Sequence, residues 1–287
     1  MNHPHITIAQ ALAQAHAQGL ARMDAQLLLL HALAQPAAGR AWLLAHDSDT
    51  LPPHVQAQFQ ALCLRRAGGE PVAYLTGYKE FYGLRLQVDA RVLDPRPDTE
   101  TLVDWALDLL QGVPGLKDRS EPPCVVDLGT GSGAIALALQ HHCPRAQVLA
   151  VDASADALAV AQANATRLAL PVRFQEGNWL GGVKGRFDIV ASNPPYIASA
   201  DPHLAALHHE PLQALASGAD GLDDLRAITA QAPEHLQPGG WLLLEHGHDQ
   251  ALAVQSLLHA QGFVQVQSRN DLAGNARCTG GQWQTMK

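Results

Sequence analysis

The chain has 287 residues, of which 47% are hydrophobic, so it is long enough for one large or two medium-sized domains with buried cores. Its formal net charge is −8 at pH 7 and it has no long basic run, which argues against a broad nucleic-acid-binding surface. Residues 1–10 show no secretion signal, and the longest apolar run, LLLLHALA, is too short to span a bilayer, so we expect a cytoplasmic protein.

Residues 1–83 predict a small helical bundle. Ala, Leu, Gln and His dominate this part, and helix-forming residues recur at helical spacing in four stretches. These stretches are ITIAQALAQAHAQ, ARMDAQLLLLHALA, AGRAWLLAH and PPHVQAQFQALCLRRAGG. Proline and glycine residues, such as Pro52-Pro53 and Gly68-Gly69, separate the stretches or end them. No residue in this part has an evident chemical role.

Residues 84–98 predict a β-hairpin that links two domains. The stretch FYGLRLQVDARVLDP alternates apolar and polar residues, as a half-buried strand does. Asp89-Ala90 is its expected turn.

From Thr99 onward, helices alternate with strands. The predicted strands are CVVDLG, AQVLAVD, VRFQEG, FDIVASN, WLLLEH and FVQVQS, and the predicted helices are TLVDWALDLL, AIALALQHH, ADALAVAQANATRL, LDDLRAITAQAPEHL and QALAVQSLLHAQG. This alternation predicts an α/β domain over residues 99–287 with a doubly wound, mainly parallel sheet. Ligands of such sheets bind beyond the carboxyl ends of the strands.

A glycine-rich turn follows the first of these strands, in VVDLGTGSGAIALAL. Gly129, Gly131 and Gly133 allow a tight turn and a close approach of the backbone to a ligand at the start of the next helix. The spacing also fits the dinucleotide fingerprint G-x-G-x-x-A, ending at Ala134. The turn therefore predicts a nucleotide-like cofactor without deciding which one.

Two acidic residues flank this turn. Asp152, at the end of the second strand, suits the hydroxyl groups of a ribose, which nicotinamide cofactors and S-adenosylmethionine share. Asp127 lies just before the glycines, where an acid would suit the positively charged amino group of S-adenosylmethionine.

The tetrapeptide Asn193-Pro194-Pro195-Tyr196 ends the fourth strand and favours methyl transfer to a planar nitrogen. The lone pair of an amide or amino nitrogen is delocalised, so a site must hold its N–H groups in a fixed orientation. The Asn193 side-chain oxygen and the Pro194 carbonyl would each accept one N–H, and Tyr196 would cover the flat face of the substrate. A proline-rich turn with a packed tyrosine is the alternative, disfavoured by the glycine-rich turn on the first strand of the same sheet.

No metal site is predicted. The four cysteines are scattered without a C-x-x-C pair, so we expect them to be reduced. His141-His142, His208-His209 and the pair His246 and His248 lack an H-E-x-x-H motif and a cysteine partner at ligand spacing.

Several further segments carry a resemblance to a known family. They are RRAGGEPVAYLTGYKEFYGL, PRPDTE (residues 95–100), DLGTGSGAIALAL, ASNPPYI, EPLQAL (residues 210–215) and LLLEHG (residues 242–247). In these segments the chain resembles, over nearly its whole length, the PrmC (HemK) family of protein-(glutamine-N5) methyltransferases that modify peptide-chain release factors. The resemblance implies a class I S-adenosylmethionine-dependent methyltransferase fold, Rossmann-like with a mainly parallel seven-stranded sheet, preceded by a helical domain that docks the release factor.

The resemblance also implies residue roles. S-adenosylmethionine would be lined by Gly129, Thr130, Gly131, Ser132 and Gly133, with Asp152 at the ribose, Trp179 near the adenine and Asn193 as a further cofactor-binding residue. Asn193, Pro194, Pro195 and Tyr196 would hold the glutamine of the Gly-Gly-Gln motif of bacterial class 1 release factors, with Asn193, Pro194 and Tyr196 acting in catalysis.

Some positions depart from the family pattern. Asp94 replaces a usually apolar residue, Asn178 stands where an acid is common, and His208-His209 lie in a loop that usually has another sequence. Near the C-terminus, Gly280-Gly281-Gln282 repeats the expected target motif, and we interpret it as a chance match beside the last strand.

The sequence therefore predicts a release factor glutamine methyltransferase. The alternatives are a methyltransferase of an exocyclic base nitrogen in DNA or RNA, one acting on a glutamine of a ribosomal protein, and a non-catalytic binding module. The net charge of −8 disfavours the nucleic-acid enzyme, and the intact glycine turn and tetrapeptide disfavour the binding module. We expect a monomer that binds release factors but neither membranes nor, stably, nucleic acid.

Overall fold

The computed structural model describes residues 6–35, 39–112 and 120–284. The expectation about a secretion signal depends partly on residues 1–5, which lie outside the described residues. The chain forms two compact units, Met1–Tyr78 and Lys79–Lys287. The first unit therefore ends at Tyr78, whereas the helical domain predicted from the sequence ends at residue 83. None of the described helices is long and apolar enough to cross a membrane.

The first unit is helical, as predicted. Its described helices are α1 (Ile8–Ala17), α2 (Arg22–Ala32), α3 (Arg40–Ala45), α4 (Pro53–Ala67) and α5 (Val72–Thr76). Leu28, Leu29 and Phe59 are among the buried side chains of its apolar core. The four predicted stretches correspond to α1–α4, whereas the five-residue α5 is too short to show a helical period.

The hairpin lies earlier in the chain than the sequence analysis placed it. Its strands are β1 (Tyr78–Phe81) and β2 (Leu84–Gln87), so the turn is Tyr82-Gly83 and not Asp89-Ala90. Both turn residues have positive φ, 51° and 77°, which suits a two-residue hairpin turn and favours glycine. Asp89 instead bends the following segment, where its carboxylate accepts a hydrogen bond from the Arg91 amide at 3.0 Å.

The second unit is an α/β domain. Its strands are β3 (Cys124–Leu128), β4 (Gln147–Asp152), β5 (Arg173–Glu176), β6 (Phe187–Ser192), β7 (Leu236–Glu245), β8 (Val264–Asn270) and β9 (Ala276–Gln282). Its helices are α6 (Glu100–Gly112), α7 (Ala134–His142), α8 (Ala155–Leu168), α9 (Asp223–His235) and α10 (Ala251–Gln261), with short 3₁₀ helices at Pro97–Thr99, Pro202–Leu207 and Leu212–Ala214. Every strand and helix predicted from Thr99 onward is present.

The seven strands form one sheet in the order β5-β4-β3-β6-β7-β9-β8. Neighbouring strands are parallel except where β9 pairs with β7 and β8. The mainly parallel seven-stranded sheet is thus confirmed. The chain runs outward from β3 to β5 and then returns to β6 on the other side of β3, which creates a crevice beyond the adjoining ends of β3 and β6.

The strand β9 has no counterpart among the strands predicted from the sequence, because glycines are depleted in strands. Gly280 and Gly281 lie inside β9, between β7 and β8, and not beside the last strand. A Cβ atom on Gly280 would lie 2.6 Å from Leu243 Cδ2 and 2.9 Å from Trp105 Cη2. The glycine pair therefore has a packing role, and the Gln282 side chain is engaged through a 3.0 Å hydrogen bond from its Nε2 to the Gly239 carbonyl.

We expect Gly280→Ala to lower the free energy of unfolding by about 1–3 kcal/mol, because the added methyl group overpacks a buried strand. Gly112→Ala is the matched control, since a Cβ there meets no atom within 4 Å. Urea unfolding of both variants measures the difference. Equal stability of the two variants would contradict the packing role.

Candidate active site

A cavity of about 430 Å³ lies in the crevice beyond the ends of β3, β4 and β6. Its walls come from the segment after β2, the glycine turn after β3, the end of β4 and the start of α8, the turn after β5, the segment after β6, residues 211–214 and the start of α9. The lining residues are Arg91, Val92, Leu93, Gly129, Gly131, Asp152, Ala153, Ser154, Ala157, Gly177, Asn178, Trp179, Asn193, Pro195, Pro211, Gln213, Ala214 and Asp224.

The three glycines of the turn have different roles, although all have positive φ. Gly131 faces the cavity, and a Cβ there would meet no atom within 4 Å, so a larger side chain would take up space in the cavity. Gly129 also lines the cavity, and its Cβ would lie 3.2 Å from the Trp179 ring. Gly133 does not line it, because it packs against Leu137 and Ala161.

Asp152 holds the turn from the end of β4. Its Oδ2 accepts a hydrogen bond from the Gly131 amide at 2.8 Å, and its Oδ1 accepts one from the Ser154 amide at 2.9 Å. Each carboxylate oxygen has a further lone pair. Because Asp152 lines the cavity, this arrangement suits two adjacent hydroxyl groups of a ligand.

Trp179 forms another wall of the cavity. Its φ of 54° is uncommon for a bulky side chain, and such strain persists mostly where function requires it. Its indole Nε1 donates a hydrogen bond to Asp224 Oδ1 at 3.2 Å, which fixes the ring. Asn178, which departs from the family pattern, also lines the cavity.

Asp127 does not line the cavity and instead stabilises the glycine turn through hydrogen bonds to its residues. It has no exposed surface, and its Oδ2 accepts hydrogen bonds from Thr130 Oγ1 at 2.7 Å and from the Ala136 amide at 3.2 Å. Burial raises the pKa of Asp127 to about 7. The structure therefore does not support the predicted contact of Asp127 with a ligand amino group. Thr130 and Ser132, which were predicted to bind the cofactor, are also buried in the turn and lie outside the cavity lining.

A second cavity, of about 100 Å³, adjoins the tetrapeptide. Its lining residues are Leu93, Arg96, Asn193, Tyr196, Ile197, Leu207, Ala214 and Leu215. Asn193 lines both cavities, whereas Pro195 lines the larger one and Tyr196 the smaller one. Pro194 is buried and lines neither, so only its carbonyl remains as a candidate contact.

Hydrogen bonds from distant segments hold the tetrapeptide. Asn193 Nδ2 donates to Thr99 Oγ1 at 3.2 Å, and the Tyr196 hydroxyl donates to Glu245 Oε1 at 3.4 Å. Gln250 Nε2 donates to the Tyr196 carbonyl at 3.0 Å. The sequence alone indicates no role for Thr99, Glu245 or Gln250, although Thr99 and Glu245 lie in the segments PRPDTE and LLLEHG that carry the resemblance.

The departure at Asp94 has a structural explanation. Asp94 is buried, but Lys79 Nζ lies 3.3 Å from its carboxylate and an Arg96 guanidinium nitrogen lies 3.6 Å away. Glu210, also buried, pairs with Arg96 at 2.5 Å and accepts a hydrogen bond from the Asp94 amide at 3.2 Å. Two basic side chains therefore compensate the two buried acids beside the smaller cavity.

Over residues 6–35, 39–112 and 120–284, no group of His, Cys, Asp and Glu side chains is arranged to hold a metal ion. His208 and His209 lie with ring centroids 4.1 Å apart on the surface loop near the smaller cavity.

Two family descriptions match the chain: "PrmC N-terminal domain" over residues 6–77 and "Methyltransferase small domain" over residues 103–220. A Xylella fastidiosa protein named release factor glutamine methyltransferase is 50% identical over 276 residues, which cover 95% of this chain and 97% of the relative. A Bordetella pertussis protein of the same name is 48% identical, covering 92% of this chain and 95% of the relative.

Solved structures show the same fold at lower identity. A methyltransferase from Pyrococcus furiosus has a TM-score of 0.53 and 20% identity, over 79% of this chain and 98% of that one. A Thermus thermophilus 16S rRNA N2 G1207 methyltransferase, solved with AdoMet and guanosine, has a TM-score of 0.52 and 19% identity, over 71% of this chain and 49% of that one. The fold of the second unit is therefore that of methyltransferases.

We expect Asp127→Ala to lower the free energy of unfolding by about 1–3 kcal/mol, because the Thr130 hydroxyl and the Ala136 amide lose a buried acceptor. Asp127→Asn retains an acceptor, so its free energy of unfolding should fall by less than that of Asp127→Ala. Urea unfolding of each variant at pH 5 and pH 8 checks this expectation.

The pH dependence has a defined sign. The folded state raises the pKa of Asp127 from about 4 to about 7, so it binds the proton more tightly than the unfolded chain does. The stabilising contribution of Asp127 is therefore largest at low pH and is lost as the pH rises through about 7. The stability of wild type relative to Asp127→Asn should be greater at pH 5 than at pH 8, and a difference independent of pH would contradict the burial argument.

Proposed function

The chain belongs to the family of release factor glutamine methyltransferases, and from this premise we propose that it methylates bacterial class 1 peptide chain release factors. The methyl group passes from S-adenosylmethionine to the side-chain amide nitrogen N5 of the glutamine in their Gly-Gly-Gln motif. The observation that carries the proposal is the position of Asn193, which borders both the larger and the smaller cavity.

The larger cavity has the properties that S-adenosylmethionine requires. Asp152 offers carboxylate lone pairs to the ribose hydroxyls, and Gly131 leaves open space beside the turn. Trp179 and Asn178 form an aromatic and amide-bearing wall for the adenine. S-adenosylmethionine, when bound, supplies a methyl group activated by a positively charged sulfur.

The smaller cavity suits the glutamine side chain, because Asn193 lines it and the Pro194 carbonyl, in the next residue, is a second candidate acceptor. Among the described residues, none donates a hydrogen bond to Asn193 Oδ1 or to the Pro194 carbonyl. Each of these oxygens accepts one N–H of the target amide, which directs the nitrogen lone pair out of the amide plane. The two oxygens also stabilise the positive charge that develops on the nitrogen as it is methylated.

Holding the target amide in a fixed orientation lowers the activation barrier further. Aligned reactants reach effective molarities that correspond to roughly 7–11 kcal/mol of the barrier. Tyr196 lines the smaller cavity and covers the flat amide. Burial, with the nearby Glu245 carboxylate, raises the pKa of Tyr196 far above neutrality, so its hydroxyl stays protonated and donates to Glu245. The methylated nitrogen releases its surplus proton to solvent.

We also propose where the enzyme acts and in which oligomeric state. A release factor acts in translation, so the enzyme acts in the cytoplasm. A single chain holds every residue assigned to the two cavities, which suits a monomer. A methyltransferase of DNA or RNA is the alternative, because an exocyclic base nitrogen would fit the same pair of acceptors. The release factor is favoured, because the relatives named release factor glutamine methyltransferase match 92–95% of this chain, including its helical unit.

We expect Asn193→Ala to lower single-turnover methylation of a release factor by about a hundredfold or more, because one preorganised acceptor is lost. S-adenosylmethionine affinity, measured by calorimetry, should change much less, since Asp152 and the glycine turn remain. Asn193→Asp keeps an acceptor but adds a charge, so its rate should lie between those of wild type and Asn193→Ala.

Mass spectrometry of the product locates the methyl group. Wild-type turnover by Asn193→Ala would exclude the assigned role of Asn193. Methylation of DNA or of ribosomal protein in parallel reactions, without label on the Gly-Gly-Gln glutamine, would exclude the proposed substrate.

The helical unit is proposed to dock the release factor. It is compact by itself over Met1–Tyr78, matches a domain description of its own, and contributes no residue to either of the two cavities. We expect a fragment of residues 79–287 to methylate a short Gly-Gly-Gln peptide nearly as fast as the full chain. The fragment should methylate the intact release factor at least tenfold more slowly at a low substrate concentration, because part of the docking surface is gone.

Circular dichroism and S-adenosylmethionine binding establish that the fragment is folded. Equal rates of the fragment and the full chain on the intact release factor would remove the docking role.

A further inference from the structure

The larger cavity has a second carboxylate in its wall besides that of Asp152. Asp224, on the first turn of α9, lines this cavity together with Trp179 and is half-buried. Its Oδ1 accepts the hydrogen bond from Trp179 Nε1 at 3.2 Å. Among residues 6–35, 39–112 and 120–284, no side chain forms an ion pair with Asp224 and no group donates a hydrogen bond to its Oδ2. An acceptor oxygen at the wall of the cavity is thus left for a ligand.

This carboxylate is fixed relative to the Trp179 ring. The Asp224 amide donates to Ser217 Oγ at 2.9 Å, and Ser217 is 2% exposed. A second residue of α9, Gln231, holds the turn after β5, because its Oε1 accepts a hydrogen bond from the Leu180 amide at 2.9 Å. Together with the bond to the indole, this contact joins α9 to the turn at two points. The carboxylate and the aromatic ring therefore form one wall.

The chemistry of this wall defines its ligand. A carboxylate only accepts hydrogen bonds, so the free oxygen of Asp224 requires an N–H or O–H group on the ligand. The indole of Trp179 favours a flat ring, which packs against its face. A planar base that bears an amino group meets both requirements, and the adenine of S-adenosylmethionine is such a base.

We propose that Asp224 selects adenine in the cofactor, because its Oδ2 accepts one N–H of the 6-amino group. The inference deepens the proposed function, since it rests on the assignment of S-adenosylmethionine to the larger cavity. A base with a carbonyl group at the same position would place one acceptor against another and be rejected.

Asn178 cannot make this selection alone, although it lines the same cavity. A side-chain amide presents either its oxygen or its NH₂ when it rotates by half a turn, so it suits an amino group and a carbonyl group equally. Among the described residues, no hydrogen bond fixes the Asn178 side chain in one orientation. The carboxylate of Asp224 has no such freedom, because both of its oxygens are acceptors.

The substitution Asp224→Asn should reverse the selection, because Trp179 dictates how the new amide is oriented. Trp179 Nε1 is a donor only, so the asparagine must turn its oxygen toward the indole. Its NH₂ then takes the place of Oδ2 at the wall of the cavity. The variant offers a donor where the wild type offers an acceptor, which suits a 6-oxo group and not a 6-amino group.

The test is calorimetric binding of two ligands to the full-length chain: S-adenosylhomocysteine and S-inosylhomocysteine, which has a 6-oxo group in place of the 6-amino group. The wild type should bind the adenosine ligand at least about tenfold more tightly, because a hydrogen bond to a charged group contributes a factor of that size. Asp224→Asn should lower this ratio of affinities by about tenfold or more. Asp224→Ala, which has no group to read the base, should bring the ratio close to one.

The ratio separates recognition from a structural role, since a loosened cavity would weaken the binding of both ligands alike. Asp223→Asn is the matched control, because this neighbouring acid on α9 is exposed, pairs with Arg226 at 2.9 Å and lies outside the cavity lining. It should keep the wild-type ratio. Circular dichroism establishes that each variant is folded, and Asp224→Ala decides by the same ratio if Asp224→Asn is not.

Each outcome has a separate meaning. Equal affinity of the wild type for the two ligands, or a wild-type ratio in Asp224→Asn, overturns the role of Asp224. Failure of the wild type to bind either ligand overturns the assignment of the cofactor, and the selection with it. If the wild type binds S-adenosylhomocysteine but does not label the Gly-Gly-Gln glutamine, the proposed substrate is wrong, and the ratio still decides whether Asp224 selects adenine.

Discussion

The pairing of β3 with β6 is the constraint on which the site depends. The two strands are parallel and in a register that places Leu128 opposite Ser192, so both end at the same level of the sheet. The glycine turn starts at the next residue of one strand and Asn193 at the next residue of the other. Since successive strand residues rise by about 3.3 Å, a slip of one residue would separate the turn from the tetrapeptide and reverse the faces of the β6 side chains. The hydrogen bond from Ser192 Oγ to the Leu128 carbonyl, at 2.7 Å, joins the strands at this level.

Acidic groups surround the site, yet the groups assigned to contact the target amide are neutral. Asp127 and Glu245 are both fully buried, and burial raises the pKa of each to about 7. Neither carboxylate lines either of the two cavities: Asp127 accepts a hydrogen bond from Thr130 within the turn, and Glu245 accepts one from Tyr196, which lines the smaller cavity. A carboxylate in direct contact with the amide would hold its protons too strongly and repel the lone pair. A neutral oxygen accepts the same N–H without a full charge beside the substrate.

The sequence predicted the elements that have strong periodicity and clear ends. The bounds of α7 and α8 agree with the predicted stretches, since Gly133 and Ser154 begin these helices with a positive φ and a side-chain cap. The strand β9 was missed because its glycines carry no strand signal, and they fit only because Leu243 and Trp105 fill the space. The roles of Thr99 and Glu245 could not be predicted, because they depend on contacts between residues far apart in the chain. Asp127 differs in another way: its position in the sequence suggested a ligand contact, whereas in the structure it is buried and its Oδ2 is bonded within the turn.

Three of the segments that carry the family resemblance supply residues in or next to the wall of the smaller cavity. PRPDTE supplies Arg96 to its wall and Thr99 behind Asn193, and EPLQAL supplies Glu210, which pairs with Arg96 at 2.5 Å. LLLEHG supplies Glu245, which accepts a hydrogen bond from the Tyr196 hydroxyl. The tetrapeptide itself suits any planar nitrogen, so it does not select the substrate. On the proposed function, selectivity for one amide would come from the rest of the wall around Asn193, to which PRPDTE contributes Arg96 and EPLQAL contributes Ala214 and Leu215.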